Sequence, residues 1–255
     1  MLTDWIVKTF SPFHIVFILL IIPIMVGTLI LFKTKAKTDK AVNLTLYIAA
    51  GILLAVIIGQ RISIVYWGIK DGIMKDVFGE LRLYNWFMIL PDSICGLTSL
   101  CVPIFVFAWR GKNNNHLIEA VFSISMLGCL GTIFYPDYLN FQPLWQMRCW
   151  GGLIHHTLSG WICLAMLLKG KFTPSLKRWY LNPIAIIAID AYGFFCLFVL
   201  KFSTCMNISS PLISDIPLSN WWILSIGYAL INTLFLLVWE LTHRKKKQEE
   251  AKGSK

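Results

Sequence analysis

Six side chains in this chain carry groups able to do chemistry from within otherwise apolar stretches: Arg61, Asp92, Cys95, the adjacent His155 and His156, and Asp190. Cys95 closes the run LPDSIC, four residues after Pro91. A proline there removes an N–H, frees backbone carbonyls and permits a kink, so the thiol could face an opening. A thiol becomes a nucleophile only as the thiolate and needs a base or a cationic neighbour. His155 or His156 would supply a base if the two segments touch. Consecutive helical residues point about 100° apart, so the two histidines cannot both closely face one partner. Arg61 offers a planar, permanently charged fork suited to a phosphate, and Asp92 and Asp190 offer further polar contacts to a substrate. A purely structural reading of the same residues pairs Arg61 with Asp92 and bonds the histidines to backbone or to each other.

The setting decides how much these residues weigh. Hydrophobic residues make up 57% of the 255 and charged residues only 14%. That is too apolar for one water-facing core and too poor in charge for a soluble domain, so lipid is the expected solvent. The net charge of +10 sits in short clusters between apolar runs, which fits topology and anionic headgroups and argues against nucleic acid. The seven cysteines are odd in number and mostly lie inside apolar runs. They form neither a disulfide framework nor a CxxC or zinc pattern, and no metal or cofactor is implied. Cys149 and Cys205 could share the outer side and admit one disulfide. The N-terminus lacks a basic region and small-residue cleavage site, so the first apolar stretch should stay in the mature protein.

Seven apolar stretches reach the roughly 20 residues that a spanning helix needs: about 13–32, 43–67, 86–109, 116–135, 148–169, 181–201 and 220–241. The expected fold is all-α, a polytopic membrane bundle of seven transmembrane helices over 1–242. A basic tail, 243–255, should be solvated and disordered. Of the 23 Lys and Arg residues, 16 fall in the tail and in the loops after the first, third and fifth stretches. The positive-inside rule places those loops in the cytoplasm and the N-terminus outside. Between 68 and 85, Ile69, Ile73, Val77 and Leu81 recur every four residues with charges opposite. This pattern predicts a short amphipathic helix at the outer interface. Arg61 and Asp92 should lie roughly 9 Å below the outer boundary, with Cys95, His155 and His156 slightly deeper, counting the helical rise. Asp190 falls near the middle. An ionisable layer of this kind is costly in lipid and marks a cavity unless it is structural.

The motifs LPDSICGLTSL (90–100), GTIFYPDY (131–138) and RCWGGLIHHTLSG (148–160), in this order, resemble the YwaF/TMEM164 family of multi-pass membrane proteins. They cover about a third of the chain, with the seven-span layout extending loosely over the rest. The bacterial branch often has a histidine two residues before the cysteine of the first motif, where this chain has Ser93, and an apolar residue where it has Asp92. Animal relatives are linked to phospholipid acyl transfer through a membrane cysteine and a histidine. The resemblance therefore implies Cys95 as acyl acceptor and His155, or His156, as base, in an acyltransferase of a bacterial cell membrane.

Three function classes stay open at this point. A lipid acyltransferase would need Cys95 and a histidine, with Arg61 holding a headgroup phosphate. A small-solute or proton-coupled transporter would need Asp190 and Arg61 but not Cys95, although no internal repeat is visible. A non-catalytic sensor or assembly partner would need none of them singly. The expected partners are membrane lipids, with anionic headgroups at the basic loops and tail, and the sequence is compatible with a homo-oligomer.

Overall fold

The computed structural model describes residues 6–7, 10–70, 74–75, 81–82, 86–108, 116–135, 142–143, 147–202, 205–209 and 220–253. Seven α-helices make up nearly all of it: α1 (Pro12–Lys35), α2 (Asp39–Lys70), α3 (Ile94–Ala108), α4 (His116–Phe134), α5 (Met147–Leu168), α6 (Leu181–Phe198) and α7 (Trp221–Gly253). α1 starts where Ser11 accepts the His14 N–H and Pro12 opens the first turn, the usual N-terminal chemistry of a helix. Thr38 does the same for α2 through the Ala41 N–H. Two-residue antiparallel pairings join Ile6–Val7 (β1) to Gln142–Pro143 (β4), and Met74–Lys75 (β2) to Leu81–Arg82 (β3).

Each expected span overlaps one of these helices, and five of the seven, all but α3 and α4, are long and apolar enough to cross a membrane. The third departs most from expectation. Trp86–Ile89 is a short 3-10 turn, the chain breaks across 90–93, and α3 begins only at Ile94. Pro91 explains the break, since it cannot donate the helical hydrogen bond. Asp92 therefore precedes α3 instead of lying inside a continuous helix. The amphipathic helix over 68–85 is also corrected: α2 runs on to Lys70, and the other described residues of that stretch form the β2–β3 pairing. Residues 71–73, 76–80 and 83–85 lie outside the described residues. The tail is helical through Gly253 instead of disordered. Its Lys-rich HRKKKQEEAK run is made of good helix formers continuing an established helix, with no new nucleation to make.

α5 lies at the centre of the bundle and packs against α1, α2, α3 and α4, while α6 packs against α4 and α7. Leu53, Val102, Phe122, Ile162 and Met166 fill the main interior, and Ile94, Ile124, Ile189, Cys196 and Met206 a second one. The large apolar residues left exposed run along α1, α6 and α7, among them Leu19, Leu31, Ile187, Phe198, Leu230 and Leu234. In water this surface would be untenable. Against acyl chains it is the expected outer face.

Basic side chains gather at one end of the bundle. Lys169 Nζ donates to the Lys33 and Ala36 carbonyls (3.0 and 2.6 Å), satisfying groups left open where α1 ends. Lys171 pairs with Asp39 at 2.9 Å, and Arg178 with Glu119 at 2.6 Å. These contacts bring the α1–α2 turn, the start of α4 and the α5–α6 connection to the same end, as the charge pattern requires.

Candidate functional site

The polar cluster forms at the opposite end, around the break before α3. α2 carries Gln60 and Arg61, both buried (7% and 8% exposed). The Arg61 Nη2 atom donates to Asp92 Oδ1 at 2.7 Å, with the Asp92 side chain half exposed. The broken strand of chain is held by its neighbours: Tyr192 Oη donates to the Pro91 carbonyl (2.9 Å) and the Met206 N–H to the Asp92 carbonyl (2.8 Å). Ser93 takes the N-cap of α3, its Oγ accepting the Gly96 N–H at 3.1 Å. The small residue thus has a structural role here. Arg61 Nη2 lies 2.8 Å from where a Gly96 Cβ would stand, so the guanidinium packs onto the first turn of α3.

His155 completes this group. Its Nδ1 bonds Gln60 Oε1 at 3.0 Å, while its Nε2 is buried without a hydrogen-bond partner. With the amide oxygen facing the ring, Nδ1 carries the proton and Nε2 presents a bare lone pair. The approach of the two helices depends on Gly151, one turn before His155. A Cβ there would stand 2.9 Å from Gln60 Cβ and Cγ. Gly151→Ala is expected to wedge α5 from α2, to cost about 1–3 kcal/mol as an overpacked core does, and to detach Gln60 from His155. Thermal unfolding in detergent checks this, and an unchanged midpoint would show that Gln60 moves aside freely.

His156 lies beside His155, with ring centroids 4.0 Å apart and tilted by 43°. Cys95 sits in the first turn of α3 and turns its sulfur onto α4. The Sγ atom lies 3.6 Å from Thr132 Oγ1, whose own proton goes to the Gly128 carbonyl (2.7 Å). The thiol is therefore the donor to Thr132. Arg61, Asp92, Gln60 and His155 come together, then, and Cys95 stands on the adjoining turn with a separate partner. Asp190 lies apart, accepting from Ser225 at 2.8 Å between α6 and α7. Cys149 packs with Leu153, Phe13 and Phe17, whereas Cys205 belongs to the second interior; all seven cysteines are free thiols. The two are in separate clusters, so the single disulfide between them is not formed.

Several hydrogen-bond partners of these residues carry no signal in the sequence. Gln60 precedes Arg61 and sits 95 residues from His155, so only the fold could join them. Thr132, Tyr192 and Ser225 are equally ordinary in composition. His14 is a further buried polar residue: it is fully buried, accepts the Phe10 N–H at Nδ1 (3.0 Å), and donates from Nε2 to the Ile133 carbonyl (2.9 Å).

An all-helical bundle with lipid-facing apolar surfaces and an ionisable cluster at one end defines a polytopic membrane protein. A family model described as the TMEM164 family matches residues 9–240. The chain belongs to that family. No curated protein and no solved structure matches it.

Proposed function

We propose that this protein is a membrane-embedded acyltransferase acting on glycerophospholipids in the leaflet next to Arg61 and Asp92. The observation that carries the reading is His155: a buried imidazole fixed through Nδ1 by Gln60, with Nε2 unpartnered, close to a buried guanidinium. A base oriented by a third group is the arrangement that activates a nucleophile. Arg61, of whose five N–H groups one goes to Asp92 Oδ1, holds the lipid phosphate. This chemistry requires the Cys95 thiol to leave Thr132 and reach His155. The proton passes to Nε2, the sulfur attacks the ester carbonyl, and the lysolipid leaves with that proton. A hydroxyl of a second lipid then takes the acyl group from the thioester, with His155 as base again. The positive-inside rule puts the basic end in the cytoplasm and this site in the outer leaflet of a plasma membrane, bacterial by the motifs and Lys-rich composition. Anionic headgroups would then meet the basic loops and the α7 tail.

The test uses the full chain in proteoliposomes with an acyl-labelled phospholipid donor and a lysophospholipid acceptor. Label should appear in the acceptor and, transiently, on the protein in a hydroxylamine-sensitive bond. No transfer above protein-free vesicles would end this reading.

A second reading, a polar solute or proton path, draws on a separate observation. Asp190 Oδ1, Asn232 Oδ1 and Asn182 Nδ2 are buried without partners along α6 and α7, which lipid-solvated helices carry at a cost. Under this reading Asp190→Asn abolishes proton uptake into proteoliposomes, followed with a pH-sensitive dye, and leaves acyl transfer intact. If proton flux is absent from the unaltered protein, the path reading is lost.

A further inference from the structure

The end of α6 and the segment after it hold two thiols that the site does not use. Cys196, near the end of α6, and Cys205 are both fully buried, and they neighbour each other in the second interior. The backbone doubles back to bring them together. Lys201, Met206 and Asn207 all take left-handed φ angles (59°, 51° and 58°), and the Phe202 N–H bonds the Cys196 carbonyl at 3.0 Å. The returning segment lies flat on α6 because residue 193 is glycine: a Cβ there would stand 2.6 Å from Ile208 Cδ1 and 2.8 Å from Met206 Cγ. The same segment reaches the site. Met206, next to Cys205, bonds the Asp92 carbonyl, and Tyr192, one turn before Cys196, contacts the Cys196 thiol and bonds the Pro91 carbonyl.

We infer that Cys196 and Cys205 are a dithiol–disulfide pair whose oxidised form clamps segment 205–209 against Asp92, at the half-exposed edge of the site. The inference rests on the outward orientation of this end given under the proposed function. Its reaction partner is a disulfide on the outer side, either a small-molecule disulfide or that of a thiol oxidase. The Cys205 thiolate attacks one sulfur of the partner, forming a mixed disulfide and releasing the other sulfur as a thiolate. The Cys196 thiolate then displaces the remaining partner thiolate and closes the Cys196–Cys205 bond. The two protons lost by the cysteines end on the two partner thiols, and the partner disulfide is the species reduced. Cys205 reacts first because it lies on the segment that must lift, whereas Cys196 is fixed in a helix. Burial, and next the neighbouring Cys196, push the Cys205 thiol well above its ordinary range, so the closed dithiol is inert and reaction follows segment opening.

The test uses the full-length protein in detergent with oxidised glutathione, followed by N-ethylmaleimide and peptide mass mapping. A peptide cross-linked through Cys196 and Cys205 is expected, and Cys196→Ser should instead accumulate a glutathione adduct on Cys205. Free alkylation of both cysteines, or pairing of either with another cysteine, overturns the pair. In the same digests, maleimide should reach Cys95 more slowly after oxidation and regain its rate after dithiothreitol. An unchanged Cys95 rate overturns the clamp. Oxidised glutathione does not cross membranes, so sealed right-side-out vesicles should form the disulfide and inverted ones should not. The reverse pattern would overturn the orientation while leaving the pairing of the two thiols in place.

Discussion

Replacing Cys95 with Ser is expected to reduce acyl transfer on the order of 10³-fold or more, the scale on which removing one member of a nucleophile–base unit acts. A serine hydroxyl is far harder to ionise than a thiol and gives an oxyester that turns over poorly. The substitution should cost the fold little. The Cys95 side chain is only partly buried and meets Thr132 through one long contact of 3.6 Å, which a hydroxyl can replace. The decisive pair of measurements is transfer in proteoliposomes and thermal unfolding in detergent. Lost transfer with a preserved midpoint assigns the chemistry to the sulfur. Preserved transfer would make Cys95 a packing residue and remove the thioester from the mechanism.

His155→Ala should lower turnover about 10²–10⁴-fold, the usual worth of a positioned general base, and added imidazole should restore part of it. Gln60→Ala acts on the same step at one remove. The Gln60 bond at 3.0 Å favours the proton on Nδ1; without it the ring is restrained by its backbone contact to Gly151 and its tautomer is less firmly set. Its effect should be smaller, should fall on the chemical step more than on lipid affinity, and should be recovered in Gln60→Asn only if the shorter side chain still reaches. Should His155→Ala leave turnover intact while His156→Ala abolishes it, the base is the neighbouring ring, 4.0 Å away.

The helices were legible because lipid imposes a coarse rule: about 20 apolar residues per crossing, with every backbone group satisfied inside the segment. That rule locates α1, α2, α4, α5, α6 and the start of α7 within a few residues. It fails at Pro91, where apolar composition continues through 86–109 but the helix does not, and at Met74–Lys75 and Leu81–Arg82, which pair as strands where a four-residue period predicts a helix. Hydrophobic spacing reports burial; it does not report which hydrogen bonds the backbone chooses. The Arg61–Asp92 pair could be anticipated because two opposite charges at one depth have few other partners in a membrane. The Gln60–His155 bond could not. A glutamine beside an arginine is unremarkable until α5 approaches α2 at Gly151 and sets the two side chains face to face. Cys95 shows the converse: its position near the site follows from the motif, but the direction of its sulfur, toward Thr132, depends on the break at Pro91 starting the helix at Ile94.

α1 is tied down at three levels. His14 joins its N-terminal end to the Ile133 carbonyl, Trp161 Nε1 donates to Thr28 Oγ1 at 2.9 Å partway along, and Lys169 grips the carbonyls of Lys33 and Ala36 at the far end. Its apolar run, 13–32, measures about 30 Å at the helical rise, close to a hydrocarbon thickness of about 30 Å. A free helix would answer a thinner bilayer by tilting. This one has its inclination set by three ties to the bundle, so a thinner bilayer would have to thicken locally to meet it. Acyl-chain length in the host bilayer would then load those ties, two of which end at Trp161 in α5 and at Lys169 just beyond it.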